Sequence, residues 1–74
     1  MRIEYVQVDN ECGEYGVVVP QTVAWKNGQM WNIDRVLHFC VSHDGEYDGI
    51  RYTVLVGDEE KYLYRVGHIW YVMV

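Results

Sequence analysis

Apolar and polar positions alternate along most of the chain, and no window carries the three-to-four-residue repeat of an amphipathic helix. In "IRYTVLV", residues 50–56, Ile50, Tyr52, Val54 and Val56 share one face of an extended chain, while Arg51, Thr53 and Leu55 share the other. Val, Ile, Tyr, Trp, Phe and Thr, which suit a pleated and half-buried surface, recur throughout. The pattern predicts an all-β chain.

A first strand is expected over residues 2–8. The polar, acidic "DNECGEYG" that follows reads as a loop and as the one flexible segment, because Gly, Asp and Asn favour turns. Pro20 stands just ahead of "QTVAW", where a strand can begin without the missing amide donor. In "WKNGQMW", Asn27 and Gly28 tolerate positive φ, which predicts a β-hairpin with a two-residue loop and with Trp25 and Trp31 on its arms. The second arm, residues 29–41, would extend roughly 40 Å if straight, at about 3.3 Å per residue, too far for so small a domain. It must bend. Asp34 and Arg35 mark the place, since Trp31 and Ile33 on one phase give way there to consecutive Val36 and Leu37.

After the loop "SHDGEYDG" come the strand 50–56, the acidic turn "GDEEK", the strand "YLYRV", the turn "GH" and a final strand "IWYVMV". The sum is an antiparallel meander of five to six strands, a small SH3-like or partly open β-barrel spanning residues 1–74 as one domain. A sandwich needs more strands.

Composition sharpens this picture. A 74-residue domain buries only about 60% of the surface that its unfolded chain exposes, which leaves a marginal core. Seven Tyr, three Trp and one Phe compensate, each buried ring removing about 150–250 Å² from water, and a partner subunit would add more. The formal charge of -5 repels phosphate and anionic lipid, so nucleic acid is not the default partner. No stretch approaches the roughly 20 apolar residues that span a bilayer, and "MRIEYVQVDNE" lacks the apolar block of a secretion signal. A cytoplasmic protein is expected, with no membrane partner and with Cys12 and Cys40 as free thiols.

"AWKNGQMWNIDRVL", then "RYTV", "YLY" and a closing "WYV", resembles a family of small uncharacterised bacterial proteins, mostly from Firmicutes. Its pattern is W-x-x-G-x-x-aromatic-x-I-D-R-V-L, then R-Y-T-V, then a final W. The matching positions are Trp25, Gly28, Trp31, Ile33, Asp34, Arg35, Val36, Leu37, Arg51, Tyr52, Thr53, Val54, Leu63 and Trp70, within residues 22–73; the N-terminal extension 1–16 falls outside. The resemblance implies a small β-barrel and no activity, so it carries over no catalytic residues. Related short domains accompany genes for error-prone DNA polymerases, which implies as the alternative a role in a polymerase or single-stranded nucleic-acid transaction. The pattern asks for none of His38, Cys40 or His43.

Candidate chemistry is sparse. In "HFCVSH", His38 and Cys40 share a strand face, and His43, Cys12 and His68 could complete a four-ligand set. Structural zinc sites draw paired ligands from tight knuckles, however, and only one short cluster exists here, so no zinc is expected. Asp44, Glu46, Asp48 and Gly49 mimic the start of a calcium loop, but Leu55 occupies the place of the closing bidentate carboxylate. Ser42 and His43, adjacent on an extended chain, point to opposite faces and make no dyad. Asp34 and Arg51 are expected to pair where the barrel closes. The aromatics could stack single-stranded bases, with only Arg35, Arg51 and Arg65 to supply a basic groove. No catalytic residue, cofactor or metal ligand is assigned, and the chain reads as a non-enzymatic protein-interaction module.

The last strand adds one expectation. "IWYVMV" is apolar on both faces, Ile69, Tyr71 and Met73 on one and Trp70, Val72 and Val74 on the other, and only one face can point into a small barrel. The other must be covered by the N-terminal strand or by a second molecule, and a homodimer through the C-terminal strand is the expectation.

Overall fold

The computed structural model describes residues 2–13, 16–42, 45 and 47–74. Its seven strands are β1 (Ile3–Cys12), β2 (Val18–Ala24), β3 (Met30–Asn32), β4 (Arg35–Val41), β5 (Ile50–Val56), β6 (Glu59–Val66) and β7 (Ile69–Met73). They form one antiparallel sheet in the order β3-β2-β1-β7-β6-β5-β4. The two edge strands, β3 and β4, are consecutive in the chain and separated only by Ile33 and Asp34. A sheet whose opposite ends are joined by two residues has to curl, and the result is a small, partly open β-barrel.

The expected bend makes the strand count seven. On its two sides the chain serves different neighbours, β3 pairing with β2 and β4 with β5. At the corner the Ile33 amide donates to the Gln21 carbonyl (3.0 Å) and the next amide, of Asp34, donates to the Leu55 carbonyl (2.8 Å). The Asp34 carboxylate accepts the Gly57 amide at 2.7 Å, tying the corner to the β5–β6 turn. A second corner lies in β1, whose residues 3–6 pair with β7 and whose residues 7–12 pair with β2.

Two loop expectations are corrected. The first half of "DNECGEYG", residues 9–12, is strand, since β1 continues through Cys12 and pairs with Val18 and Val19. Its polar side chains are exposed, and backbone pairing with the apolar start of β2 suffices to extend it; Glu14 and Tyr15 lie outside the described residues. The register slips between Asp9, opposite Thr22, and Asn10, opposite Pro20, and this bulge admits the buried Pro20 inside a strand despite its missing donor. The hairpin loop of "WKNGQMW" has three residues, 26–28. Trp25 donates to the Gln29 carbonyl (2.9 Å), and Gly28, at φ 90°, donates to the Trp25 carbonyl (3.1 Å). Only Gly adopts that φ cheaply, which makes it the bulge residue of the turn. Trp25 and Trp31 meet edge to face at 4.5 Å.

Strand alternation builds the core. Val6, Val23, Tyr52, Val54, Leu63, Trp70 and Val72 point inward and are buried, with Tyr52 and Trp70 in ring contact at 5.3 Å. On β6 the inward row is Lys61, Leu63, Arg65. Leu63 is fully buried, while the two cations reach the barrel's edges, Lys61 over Trp31 and Arg65 over Trp70, each at 5.7 Å. Their stems pack and their charged heads lie against ring faces. No helix among the described residues is long and apolar enough to cross a membrane.

Candidate functional site

Several of the residues singled out in the sequence are engaged locally. His38 and Cys40 do share the outer face of β4, but the His38 Nε2 contacts the Thr53 hydroxyl at 3.2 Å, and the Cys40 Sγ contacts the Tyr47 hydroxyl at 3.1 Å. Cys12 is exposed at the end of β1 and His68 lies in the β6–β7 turn; both cysteines are free thiols. Among the described residues no three His, Cys, Asp or Glu converge on a point where a metal ion could sit. His43, Asp44 and Glu46 lie outside the described residues. The Ser42 hydroxyl accepts the Gly45 amide at 3.0 Å, closing the loop that follows β4.

The expected Asp34–Arg51 pair does not form, because Asp34 holds Gly57. Arg51 instead lies between two rings, 5.1 Å from the centre of Tyr47 and 4.5 Å from that of Tyr62. Partial burial works against its charge, but the facing phenols of Tyr47, Tyr62 and Tyr64 and the Cys40 thiol outweigh burial and hold its pKa above the ordinary value.

Arg51 belongs to a row across the outer face of the sheet. Tyr5 is opposite Tyr71, Tyr71 opposite Tyr64, Tyr64 opposite Arg51 and Arg51 opposite Cys40. Tyr64 and Tyr71 stack at 5.0 Å, and Tyr47, from the loop between β4 and β5, packs on Tyr64 at 5.4 Å. The Tyr71 hydroxyl donates to the Asp48 carbonyl at 3.2 Å. Gly49 lets the loop lie this close: its φ is +79°, and a Cβ there would stand 2.1 Å from the Arg65 carbonyl oxygen. The end of this loop therefore straps the outer face of β6 and β7, and Tyr71 is only 5% exposed. Burial, with the nearby Asp48, raises the Tyr71 pKa.

β7 is paired along both edges, to β1 and to β6. The uncovered apolar surface lies elsewhere, along β4. That strand ends the sheet, so its outer backbone edge has no partner among the described residues. Across from it, β2 gives only Thr22, Val23 and Ala24 to β3 and leaves Val18 and Val19 unpaired on that side. Between the two runs an open seam of about 470 Å³ that narrows to the corner at Asp34, with Val17, Val18, Val36, Phe39 and Tyr52 among its walls. By register Phe39 and Val41 belong to the inward face, opposite Tyr52 and Ile50. They are nonetheless 50% and 57% exposed, because none of the described strands lies over them. The core is unfinished here.

A larger depression, of about 590 Å³, lies where β1 turns away from β7, and its walls include Asp9, Thr22, Arg65 and His68. Part of its polar lining is occupied, Thr22 donating to Asp9 at 3.2 Å and Arg65 to the Gly67 carbonyl at 3.3 Å, while the buried Arg65 Nε has no hydrogen-bond partner among the described residues.

Sequence reasoning missed the seam because the eye falls on the two histidines and the cysteine of "HFCVSH". The signal was the apolar phase between them, Phe39 and Val41, on a strand without Lys or Pro. Fold and seam together define a class, a small antiparallel β-barrel left open along one side. No family model, curated protein or solved structure matches the chain.

Proposed function

We propose that this chain is a non-enzymatic protein-interaction module, cytoplasmic and self-associating, whose contact surface is the open seam and the free edge of β4. One observation carries this reading: Phe39 and Val41 face inward by register, yet remain half exposed beside an unpaired backbone edge. An extended segment laid along β4 would gain backbone hydrogen bonds from the edge and place alternate side chains over Phe39, Val41 and Tyr52. The expected contact through the C-terminal strand is less favoured, since both its edges are already paired.

A single-stranded nucleic-acid role would need a continuous cationic groove beside exposed rings. Of the described cations, Arg51 is held between Tyr47 and Tyr62, Lys61 pairs with Glu59 at 2.7 Å and Arg65 lies over Trp70, while the exposed Arg2, Lys26 and Arg35 stand apart, ahead of β1, in the β2–β3 hairpin loop and at the start of β4. The protein-contact reading is therefore preferred.

Selection of extended peptides from a displayed library against the purified chain tests it. Selected peptides should bind the wild type and lose binding to Phe39→Asp and Val41→Asp variants that remain folded. Binding that ignores both substitutions, or a selection that yields no ligand, would overturn the seam as the contact surface.

A further inference from the structure

We infer that the depression beside the β1 corner is a binding site for a small organic monocarboxylate, anchored by the guanidinium of Arg65. The inference goes beyond the interaction-module reading and does not depend on it, since Phe39 and Val41 take no part in these walls.

The corner in β1 makes the space. Residues 3–6 pair with β7 and residues 7–12 leave it for β2, so a gap opens between the second half of β1 and the β6–β7 turn. Its volume of about 590 Å³ lies within the roughly 300–1,000 Å³ usual for small-molecule sites. Val6, Val8 and Trp70 give it apolar walls, and the exposed Gln7 and His68 add polar groups.

Arg65 is the only Lys or Arg among the described residues that line it. Its Nη1 donates to the Gly67 carbonyl, and its cation lies over Trp70. It has no carboxylate partner among the described residues, and its buried Nε has no hydrogen-bond partner there. A charged donor withdrawn from water and left unpaired is costly. Nε and Nη2 form the edge of a guanidinium that matches the two oxygens of a carboxylate, so a carboxylate seated on Arg65 would satisfy the donor and neutralise the charge.

Arg51 supplies the contrast. Its Nε is also buried and unpartnered, but its guanidinium lies between Tyr47 and Tyr62 and lines neither this depression nor the seam. An orphaned donor and a space to receive its partner coincide at Arg65.

Charge decides the class of anion. The chain carries a formal charge of -5, and Asp9 stands in the same walls, accepting from Thr22 and making no ion pair with Arg65. A phosphate dianion meets more repulsion there than a monocarboxylate, and the apolar walls favour a hydrocarbon body. With one anchoring cation in an open depression, a dissociation constant on the order of millimolar is expected.

An NMR titration of the isotope-labelled intact chain with benzoate tests this. Benzoate should shift the Arg65 Nε–H signal and the amides of Gln7, Val8, Gly67 and His68, and leave the Arg51 Nε–H signal in place. Benzamide, neutral and of the same shape, should shift none of them, and phenyl phosphate should bind no more tightly than benzoate. Arg65→Gln should weaken benzoate about tenfold, and Arg65→Lys, which keeps the charge and loses the fork, by less. Thermal unfolding of each variant separates lost binding from lost fold, and the wild-type Nε–H signal needs no substitution.

A wild type whose Arg65 Nε–H signal stays unmoved well above millimolar benzoate would overturn the inference. So would equal shifts with benzamide, or undiminished binding in a folded Arg65→Gln. Tighter binding of phenyl phosphate would overturn the choice of a carboxylate.

Discussion

β7 and β4 are both strands with apolar residues on both phases, and the fold treats them in opposite ways. β7 lies inside the sheet, hydrogen-bonded on both edges, with Trp70 and Val72 in the core and Tyr71 covered by Tyr64 and by the loop that Gly49 lets close. β4 lies at the end of the sheet, with one edge unpaired and its inward-facing Phe39 and Val41 half exposed. By composition β7 is the more exposed liability, since it carries no charge while β4 has Arg35. Strand order reverses that ranking. An apolar strand needs cover, but whether it receives any depends on its place in the sheet, a non-local property.

The sharpest test sets Trp70 against Phe39, one inward aromatic on each strand. Trp70→Ala should cost about 3–5 kcal/mol in chemical denaturation, enough to unfold much of so small a domain. Phe39→Ala should cost no more than about 1 kcal/mol in the monomer, because half of the ring is already in water. Comparable losses at the two positions would mean that the seam is closed in solution.

Gly49→Ala probes the strap that covers β7. A left-handed conformation costs a non-glycine residue about 1–2 kcal/mol, and relieving a Cβ 2.1 Å from a carbonyl oxygen adds about 1–3 kcal/mol. The expected result is a lower denaturation midpoint, with faster hydrogen exchange at Tyr64 and Tyr71 and little change along β4.

Asp34→Ala acts at the corner that sets how far the seam opens. Losing the acceptor of the Gly57 amide should cost about 1 kcal/mol, and Asp34→Asn, which keeps an acceptor, should recover part of it.

The smallest expected effect is at Tyr71. Tyr71→Phe removes the 3.2 Å hydroxyl bond to the Asp48 carbonyl and should cost about 0.5 kcal/mol near neutral pH, the lower end for one hydrogen bond. The folded-state pKa of Tyr71 is raised, so the protonated phenol stabilises the fold fully below its ordinary value of about 10. That contribution is lost as pH rises from there through the raised value. Wild-type stability should therefore fall more steeply in alkali than that of Tyr71→Phe, measured by denaturation at a series of pH values.

Much of the fold was legible locally. The alternation of "IRYTVLV", the turn chemistry of Asn27 and Gly28, and the excess length of residues 29–41 predict the strands, the hairpin and the bend at Asp34. Where local reading failed, pairing had overridden composition: residues 9–12 are polar but extended, because Val18 and Val19 of β2 pair with them. For the same reason Asp34 and Arg51, plausible partners by charge, went to Gly57 and to the rings of Tyr47 and Tyr62.

Periodicity, turn residues and segment length act over a few neighbouring residues, so the sequence by itself determined an all-β barrel, the position of its corner, and which face of each strand is apolar. Strand order decided the rest. It placed β7 in the middle and β4 at the edge, lined up Tyr5, Tyr71, Tyr64 and Arg51 in one outer row, and left Phe39 and Val41 facing an open seam. These outcomes depend on hydrogen bonds between residues far apart in the chain, whose register is selected by the packing of the whole sheet and is written in no single segment.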